Sequence, residues 1–381
     1  MKILFLDQSG KSGGAELCLL DTAKPYQAGS LIGLFEDGPF RSLLEEHQIP
    51  VQVLSQTTIR VRKESSWLTG LSSLSQLLPL VARVVQLSRQ YDLIFVNTPK
   101  ALVVGAVASF LTDRPLVYHL HDILSREHFS ASNRRLLVTL ANRAAWVIAN
   151  SQATRSTFIA AGGRSEISSV VYNGFQPEKY TQKSVSASFQ TGISKFTIGH
   201  FSRLSPWKGQ HILIEALTHC PEDVTSVFVG DALFGEQKYV QQLHQQIEQL
   251  GLRDRVQFLG FRADVISLMG ACDLIAHTST AAEPFGRVIV EAMLCGKPVI
   301  AAKAGGAAEL IDHGVNGWLV APGEPKQLAE MIQALRSDWQ TTIAVAQSAQ
   351  RQASDRFHLE KVNQQIHQRL TQVLDDREYA P

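Results

Sequence analysis

Two glutamates eight positions apart, Glu283 and Glu291, mark the stretch of this chain where side-chain chemistry is most concentrated, between His277 and Glu309. Glu283 opens the tight loop Glu283-Pro284-Phe285-Gly286, and Glu291 lies on the helix that follows. Val288, Ile289, Ala292 and Met293 recur there at helical spacing, and Gly296 and Pro298 end the helix. The first N–H groups of a helix have no partner within it, so the backbone of Phe285, Gly286 and Arg287 forms an anion site. Gly286 keeps a side chain out of the path of a phosphate. Glu291 falls at the edge of an apolar stripe made by Val288, Ala292 and Cys295. A half-buried carboxylate needs donors, and a ribose diol offers two. The plainer alternatives are an Arg287–Glu291 surface pair, worth roughly 0.2–0.5 kcal/mol, and a solvated turn residue at Glu283.

Three further groups have chemistry within reach. Arg203 and Lys208 stand five residues apart in GHFSRLSPWKG, on a loop after an apolar strand. An Arg fork and a Lys point charge suit a diphosphate, and two solvated surface cations are the alternative. His119 and His121, in LVYHLHD, share one face of a strand, with His121 nearer the carboxyl end where an active group belongs. A structural histidine is the competing reading. Asp122 is placed to orient the ring or to cap the next turn. Gly13 and Gly14, in SGKSGGAE, offer N–H groups to a phosphate or an acceptor, but neither GxGxxG nor a P-loop is present.

These residues need elements to hold them. Short apolar strands at Ile3–Leu6, Leu31–Phe35, Val51–Leu54, Leu93–Val96, Leu116–Leu120, Val147–Ala149 and Val170–Val171 alternate with amphipathic helices such as Ala15–Gln27, Ser72–Arg89 and Arg134–Arg143. That alternation predicts βαβ units and a parallel sheet. Residues 176–195 are polar, without a clear period, and read as a linker. Strands then resume at Phe196–His200, Val227–Val229, Val256–Leu259, Asp273–His277, Val299–Ala302 and Gly317–Val320, with helices at Gln210–Leu217 and Val240–Leu250 and a helical remainder to about Leu374. Two doubly wound domains result, 1–175 and 196–356. Ligands of open α/β sheets bind outside the strands' carboxyl ends, so a cleft between the domains is the expected site.

Composition narrows the classes. A length of 381 residues suggests two or three domains. A net charge of +1 gives no general attraction to nucleic acid. The four cysteines show neither a CxxC pair nor metal spacing and read as reduced thiols of a cytoplasmic protein. MKILFLDQSG is too short an apolar run for a signal peptide and reads as a first strand, and no segment reaches bilayer length. Arg60, Arg62, Lys63 and Trp67 precede a helix with the apolar face Leu74, Leu77, Leu78, Val81, Val84 and Val85. That combination suits peripheral contact with an anionic membrane face, whereas the stripe alone suits packing on the sheet.

Taken in order, GGAE, HLHD, VIANS, VVYNG, FSRLSPWKG, RVQFLGF, EPFGRVIVEAMLCGKPVIA, GGAAELI and NGWLV resemble the retaining, nucleotide-sugar-dependent glycosyltransferases of the GT-B fold, in the large family-four group. The resemblance covers nearly the whole chain. It implies an α/β GT-B fold of two tandem Rossmann-like domains facing each other across a cleft, with the last helix, in 357–381, packing back on the first domain. It implies that a hexosyl residue leaves a nucleoside diphosphate, UDP- or GDP-linked, for an acceptor hydroxyl on a glycan, glycolipid or lipid-linked intermediate, with retention and without a metal or other cofactor. Arg203 and Lys208 would hold the diphosphate, Glu283 the transferred sugar and Glu291 the ribose, with His121 beside the reacting centre. Gly13, Gly14, Leu259, Pro284, Phe285, Gly286 and Arg287 would complete the donor contacts. Asn150-Ser151 and Asn173-Gly174 match cleft loops of the family. Because no first-domain carboxylate is flagged by spacing as a nucleophile, the resemblance favours a front-face reaction in which the leaving phosphate takes the acceptor proton.

Two rival functions share the fold. A sugar-nucleotide epimerase needs further acid/base carboxylates around the sugar. A GT-B module that binds nucleotide sugar without transfer predicts loss of the cations or the histidine, and all are present here.

Overall fold

The computed structural model describes residues 1–11, 13–55, 67–181, 195–232 and 235–378, and divides the chain into two compact units. One unit comprises 1–174 together with 359–381, and the other 175–358. The first holds β1 (Ile3–Asp7), β2 (Leu31–Leu34), β3 (Val51–Val53), β4 (Leu93–Val96), β5 (Leu116–Leu120), β6 (Trp146–Ala149) and β7 (Ser168–Val170). They form one parallel sheet in the order β3-β2-β1-β4-β5-β6-β7. The second unit holds β8 (Phe196–Phe201), β9 (Val224–Val229), β10 (Val256–Gly260), β11 (Leu274–His277), β12 (Val299–Ala302) and β13 (Trp318–Val320). These are also parallel, in the order β10-β9-β8-β11-β12-β13. Strand order reverses between β1 and β4 in one sheet and between β8 and β11 in the other. Each reversal opens a crevice at the strands' carboxyl ends.

The apolar runs read as strands because a sheet covered on both faces needs no polar alternation. In β1, Leu4 and Leu6 enter one core with Ile94 and Val96, while Ile3 and Phe5 enter the opposite core with Leu93 and Phe95. The second of these cores is completed from the far end of the chain. Val362, Ile366, Leu370 and Val373, on one face of the helix Leu359–Glu378, are buried there beside Ile3 and Phe5. Gly174 packs so close to this helix that an added Cβ would lie 3.0 Å from the Leu359 Cα. In the other unit Ile198, Phe228, Leu274, Ile300 and Trp318 build a core with Leu213 and Leu217 of the helix Gln210–Leu217.

Some sequence expectations change in detail. The helical remainder is three helices, Pro325–Ser337, Trp339–Arg356 and Leu359–Glu378. In the helix Trp67–Ser88 the buried side is Leu80 and Val84, flanked by the partly buried Leu77, Val81 and Val85. Leu78, counted above in the apolar face, is 64% exposed, because it lies one residue and therefore about 100° away from the Leu77 row. Arg60, Arg62, Lys63 and 182–194 of the linker lie outside the described residues, as do the side chains of 67–76, Trp67 among them. No helix among the described residues is long and apolar enough to cross a membrane.

Leu370 is fully buried in the core it shares with β1. Leu370→Ala is therefore expected to destabilise the first unit by about 2–5 kcal/mol. A urea titration checks this through a lowered midpoint, and an unchanged midpoint contradicts the assignment of this helix to that core.

Candidate functional site

At the second unit's reversal, the loop after β8 carries Arg203 and Lys208 and the loop after β11 carries Glu283. Three donors converge on one oxygen of Glu283. Lys208 Nζ donates at 2.7 Å, Ser279 Oγ at 3.1 Å and His277 Nε2 lies at 3.3 Å, all on Oε2. Among the described residues no hydrogen bond to Oε1 is found. Lys208 and Glu283 keep only 15% and 11% of their side-chain surface. Burial alone would raise the Glu283 pKa, but Lys208 and His277 override it and hold the carboxyl well below its ordinary range. The solvated-turn alternative for Glu283 and the solvated-cation alternative for Lys208 are thereby set aside.

Arg203 is held differently. Its Nε lies 3.6 Å from Glu236 Oε2, and Ser205 Oγ donates to the other oxygen of Glu236 at 2.5 Å. The Trp207 ring lies under both cations, 4.1 Å from Lys208 Nζ and 5.9 Å from the Arg203 guanidinium carbon. The loop has little freedom. Fully buried Gln210 donates to the Arg203 carbonyl at 2.9 Å, and Thr278 Oγ1 donates to the Gly209 carbonyl at 2.7 Å. Gly209 has a φ of +72°, and any Cβ on it would lie 1.9 Å from the Thr278 carbonyl oxygen.

The helix after the loop runs Arg287–Leu294, with Gly286 capping it at a φ of +96°. This backbone angle, besides room for a ligand, requires glycine there. Phe285 is buried and faces Phe175 and Phe357, so its side chain is taken up by the core. Arg287 lies over the Phe175 ring at 4.5 Å and 3.5 Å from Glu291 Oε1. The i,i+4 pair therefore exists, in a half-buried setting. Burial pushes the Glu291 carboxyl up, against the pull of Arg287. Pro284 is partly buried, and Leu259 sits where β10 shifts register against β9. Gly305 and Gly306 serve Glu283 by backbone: the Gly306 N–H donates to the Glu283 carbonyl at 2.7 Å, and a Cβ on Gly305 would lie 2.4 Å from that oxygen.

The first unit's reversal gathers residues that spacing did not flag. Asp7, at the end of β1, is fully buried and accepts from Asn97 Nδ2 at 2.7 Å and from the Ser9 N–H at 2.8 Å. Asn97 follows β4 and also meets His121 Nε2, at 2.9 Å from its Oδ1. His121 packs against His119 with ring centroids 4.0 Å apart and planes tilted by 43°. Burial pushes His119 down to about 3, so it stays neutral. Gly13 caps the helix Gly14–Ala23, and the Glu16 carboxylate reaches back to the Gly13 N–H. Burial pushes Asp7 up to about 6, against its Asn97 and Ser9 donors, and burial and then the Asp7 charge push Glu16 up to about 7. A carboxylate pair thus does stand on the first-domain side. The sequence signal for Asp7 and Asn97 was a polar residue closing an apolar strand, in ILFLD and IFVN. Among the described residues no group of three or more His, Cys, Asp or Glu is placed to hold a metal ion.

With this geometry in view, the chain can be set beside known proteins. Residues 186–352 match the model of glycosyl transferases group 1, and residues 38–179 that of glycosyltransferase family 4. Crystal structures of Anabaena HepE, solved with UDP-glucose, with UDP, and with UDP and glucose, are 60% identical to it. For the UDP-glucose complex the TM-score is 0.89, over 98% of this chain and 100% of that one. Spore coat protein SA of Bacillus subtilis is 35% identical over 43% of this chain and 45% of its own length. A D-inositol 3-phosphate glycosyltransferase of Xylanimonas cellulosilytica is 37% identical over 41% of this chain and 37% of its own length. The chain thus spans less than half of each of these two curated relatives.

The raised carboxyls make a pH prediction. Unfolded, Glu16 ionises near 4.5; folded, near 7. The stability its protonated form contributes is fully present below 4.5 and is lost as pH rises through about 7. Glu16→Gln keeps an acceptor for the Gly13 N–H but removes the titration. Thermal melts at pH 5 and pH 8 are expected to show a smaller drop for the variant than for the parent; equal drops contradict the burial of this charge.

Proposed function

The chain belongs to the glycosyl transferases group 1 family and has the GT-B fold, and from that premise we propose that it transfers a hexosyl residue from a UDP-linked donor to an acceptor hydroxyl with retention and without a metal. The observation that carries this reading is the Lys208–Glu283 pair, 2.7 Å long, at the crevice of the second sheet. A cation for phosphate and a carboxylate for sugar hydroxyls stand there side by side. Glu283 Oε2 is already occupied by donors, which leaves Oε1 for a hydroxyl of the transferred sugar. The solved complexes of HepE with UDP-glucose and UDP support UDP over GDP as the donor nucleotide.

The chemistry runs through charge. As the bond between C1 and the diphosphate oxygen breaks, the sugar becomes oxocarbenium-like and negative charge grows on the leaving group. Arg203, Lys208 and the N–H groups around Gly286 stabilise that charge. Glu291, half-buried and held up by burial, suits the ribose diol. In the front-face course, the acceptor oxygen bonds to C1 on the side the diphosphate leaves, and the acceptor proton passes to the departing diphosphate oxygen. On the family resemblance, His121 is assigned to the reacting sugar. The acceptor is a glycan, a glycolipid or a lipid-linked intermediate. For the lipid-borne options, Phe110 and Leu111, 74% and 57% exposed on the helix Pro99–Thr112, with Arg143 facing the Phe110 ring at 6.0 Å, offer a peripheral membrane contact.

Arg203→Ala is expected to lower turnover of UDP-glucose about 10²–10³-fold while thermal stability stays near that of the parent; near-parental turnover refutes the diphosphate role. In the same assays, UDP-sugars should raise the melting temperature more than GDP- or ADP-sugars, chelator should leave turnover intact, and product NMR should show the anomeric configuration of the donor. A larger shift with GDP-sugars, chelator-sensitive turnover or an inverted product would each overturn its part of the reading. Sedimentation with anionic vesicles tests the membrane contact. Phe110→Ser with Leu111→Ser should weaken binding, and equal binding by parent and variant refutes it.

A further inference from the structure

Asn97 is 1% exposed, and every polar atom of its amide has a partner. Its Nδ2 faces the Asp7 carboxylate at 2.7 Å and the Ala15 carbonyl oxygen at 3.1 Å. A carbonyl oxygen only accepts, and the ionised carboxylate only accepts. The opposite amide orientation would set oxygen against oxygen at both contacts. The nitrogen therefore points to Asp7 and Ala15, and Oδ1 points to His121 Nε2 at 2.9 Å. Since an amide oxygen cannot donate, the proton of that contact belongs to Nε2.

We propose that Asn97 is a positioning residue that holds His121 as the Nε2–H form and sets its ring plane, with Asp7 as the anchor that orients the amide. In the neutral ring that leaves Nδ1 as the acceptor nitrogen, so Asn97 decides which nitrogen donates and which accepts. His119 packs against the ring, tilted by 43° with centroids 4.0 Å apart, and is itself edged by Phe95 at 5.9 Å. Among the described residues the two nitrogens of His119 find no hydrogen-bond partner, and burial keeps the ring neutral, so it restricts His121 without adding charge. The charged groups around this chain of contacts are Asp7 on β1, Glu16 on the helix Gly14–Ala23 and Asp122 beside His121. The inference gives Asp7 and Asn97, which spacing did not flag, a task in the reaction. It rests on the reading that His121 lies beside the reacting sugar.

The test uses the full chain with ¹⁵N-labelled histidine and two-bond ¹H–¹⁵N NMR at pH 8, alongside UDP release from UDP-glucose. The parent should show His121 with its proton on Nε2. In Asn97→Ala the tautomers should mix and kcat should fall about ten- to a hundredfold, the range for loss of a group that orients a functional histidine, with the KM for UDP-glucose within about twofold. Asn97→Asp keeps an acceptor opposite Nε2, shares one proton with Asp7 and so brings the pair's negative charge next to His121. It should retain the Nε2–H signal and shift the kcat–pH profile to the alkaline side, a shift that a merely structural role would not produce. Should Asn97→Ala fail to fold, the Asn97→Asp spectrum and profile decide alone. An Nε2–H signal that survives in folded Asn97→Ala, or an unmoved profile in Asn97→Asp, overturns the inference. Mixed tautomers with parental turnover instead overturn the placement of His121 at the reacting sugar, whereas Arg203→Ala tests the donor site independently of both.

Discussion

A carboxylate buried as deeply as Glu283 cannot stay ionised without a cation, and this requirement organises the second unit. Removing a charge from water costs several kcal/mol after relaxation, so the loop that brings Lys208 must reach the loop that carries Glu283. The details around them serve that meeting. Gly209 lets the Lys208 loop touch the Thr278 backbone, and Gly305 and Gly306 let a third loop touch the Glu283 backbone. Ser279 and His277 complete the donor set on Oε2. The glycines are thus explained by contacts between loops as much as by room for a ligand.

The same arrangement sets up the ligand chemistry. A cation already paired at 2.7 Å is preorganised, and in the proposed role a phosphate would share its existing field instead of building one. Arg203 is held differently, 3.6 Å from Glu236 and beside the Trp207 ring.

The first unit solves a different problem with a related device. There, fully buried Asp7 and half-buried Glu16 form no salt bridge among the described residues, and burial pushes both up toward neutral pH. They are satisfied by N–H groups: the Asn97 amide, the Ser9 backbone and the Gly13 cap. The consequence is a directional run of hydrogen bonds from Asp7 through Asn97 to His121, where one unit of the fold dictates the proton position on a ring.

Much of this was legible in the residues alone. Apolar runs of strand length, alternating with helical periods, determine a parallel α/β architecture, because a strand covered on both faces has no polar positions to spare. The ordered marks from GGAE to NGWLV pointed to the family, and the loop glutamate, the loop cations and the strand-end histidine were visible as residue types in suitable places. What only the tertiary structure decided were the pairings. Nothing in the spacing joins Lys208 to Glu283 across 75 positions, or Asp7 to Asn97 across 90. Nor does it bring Leu370 from the last helix onto β1. Local periodicity reports which face of an element is buried. Which distant residue meets it there is set by strand order, and strand order reverses at the two places where these polar side chains meet.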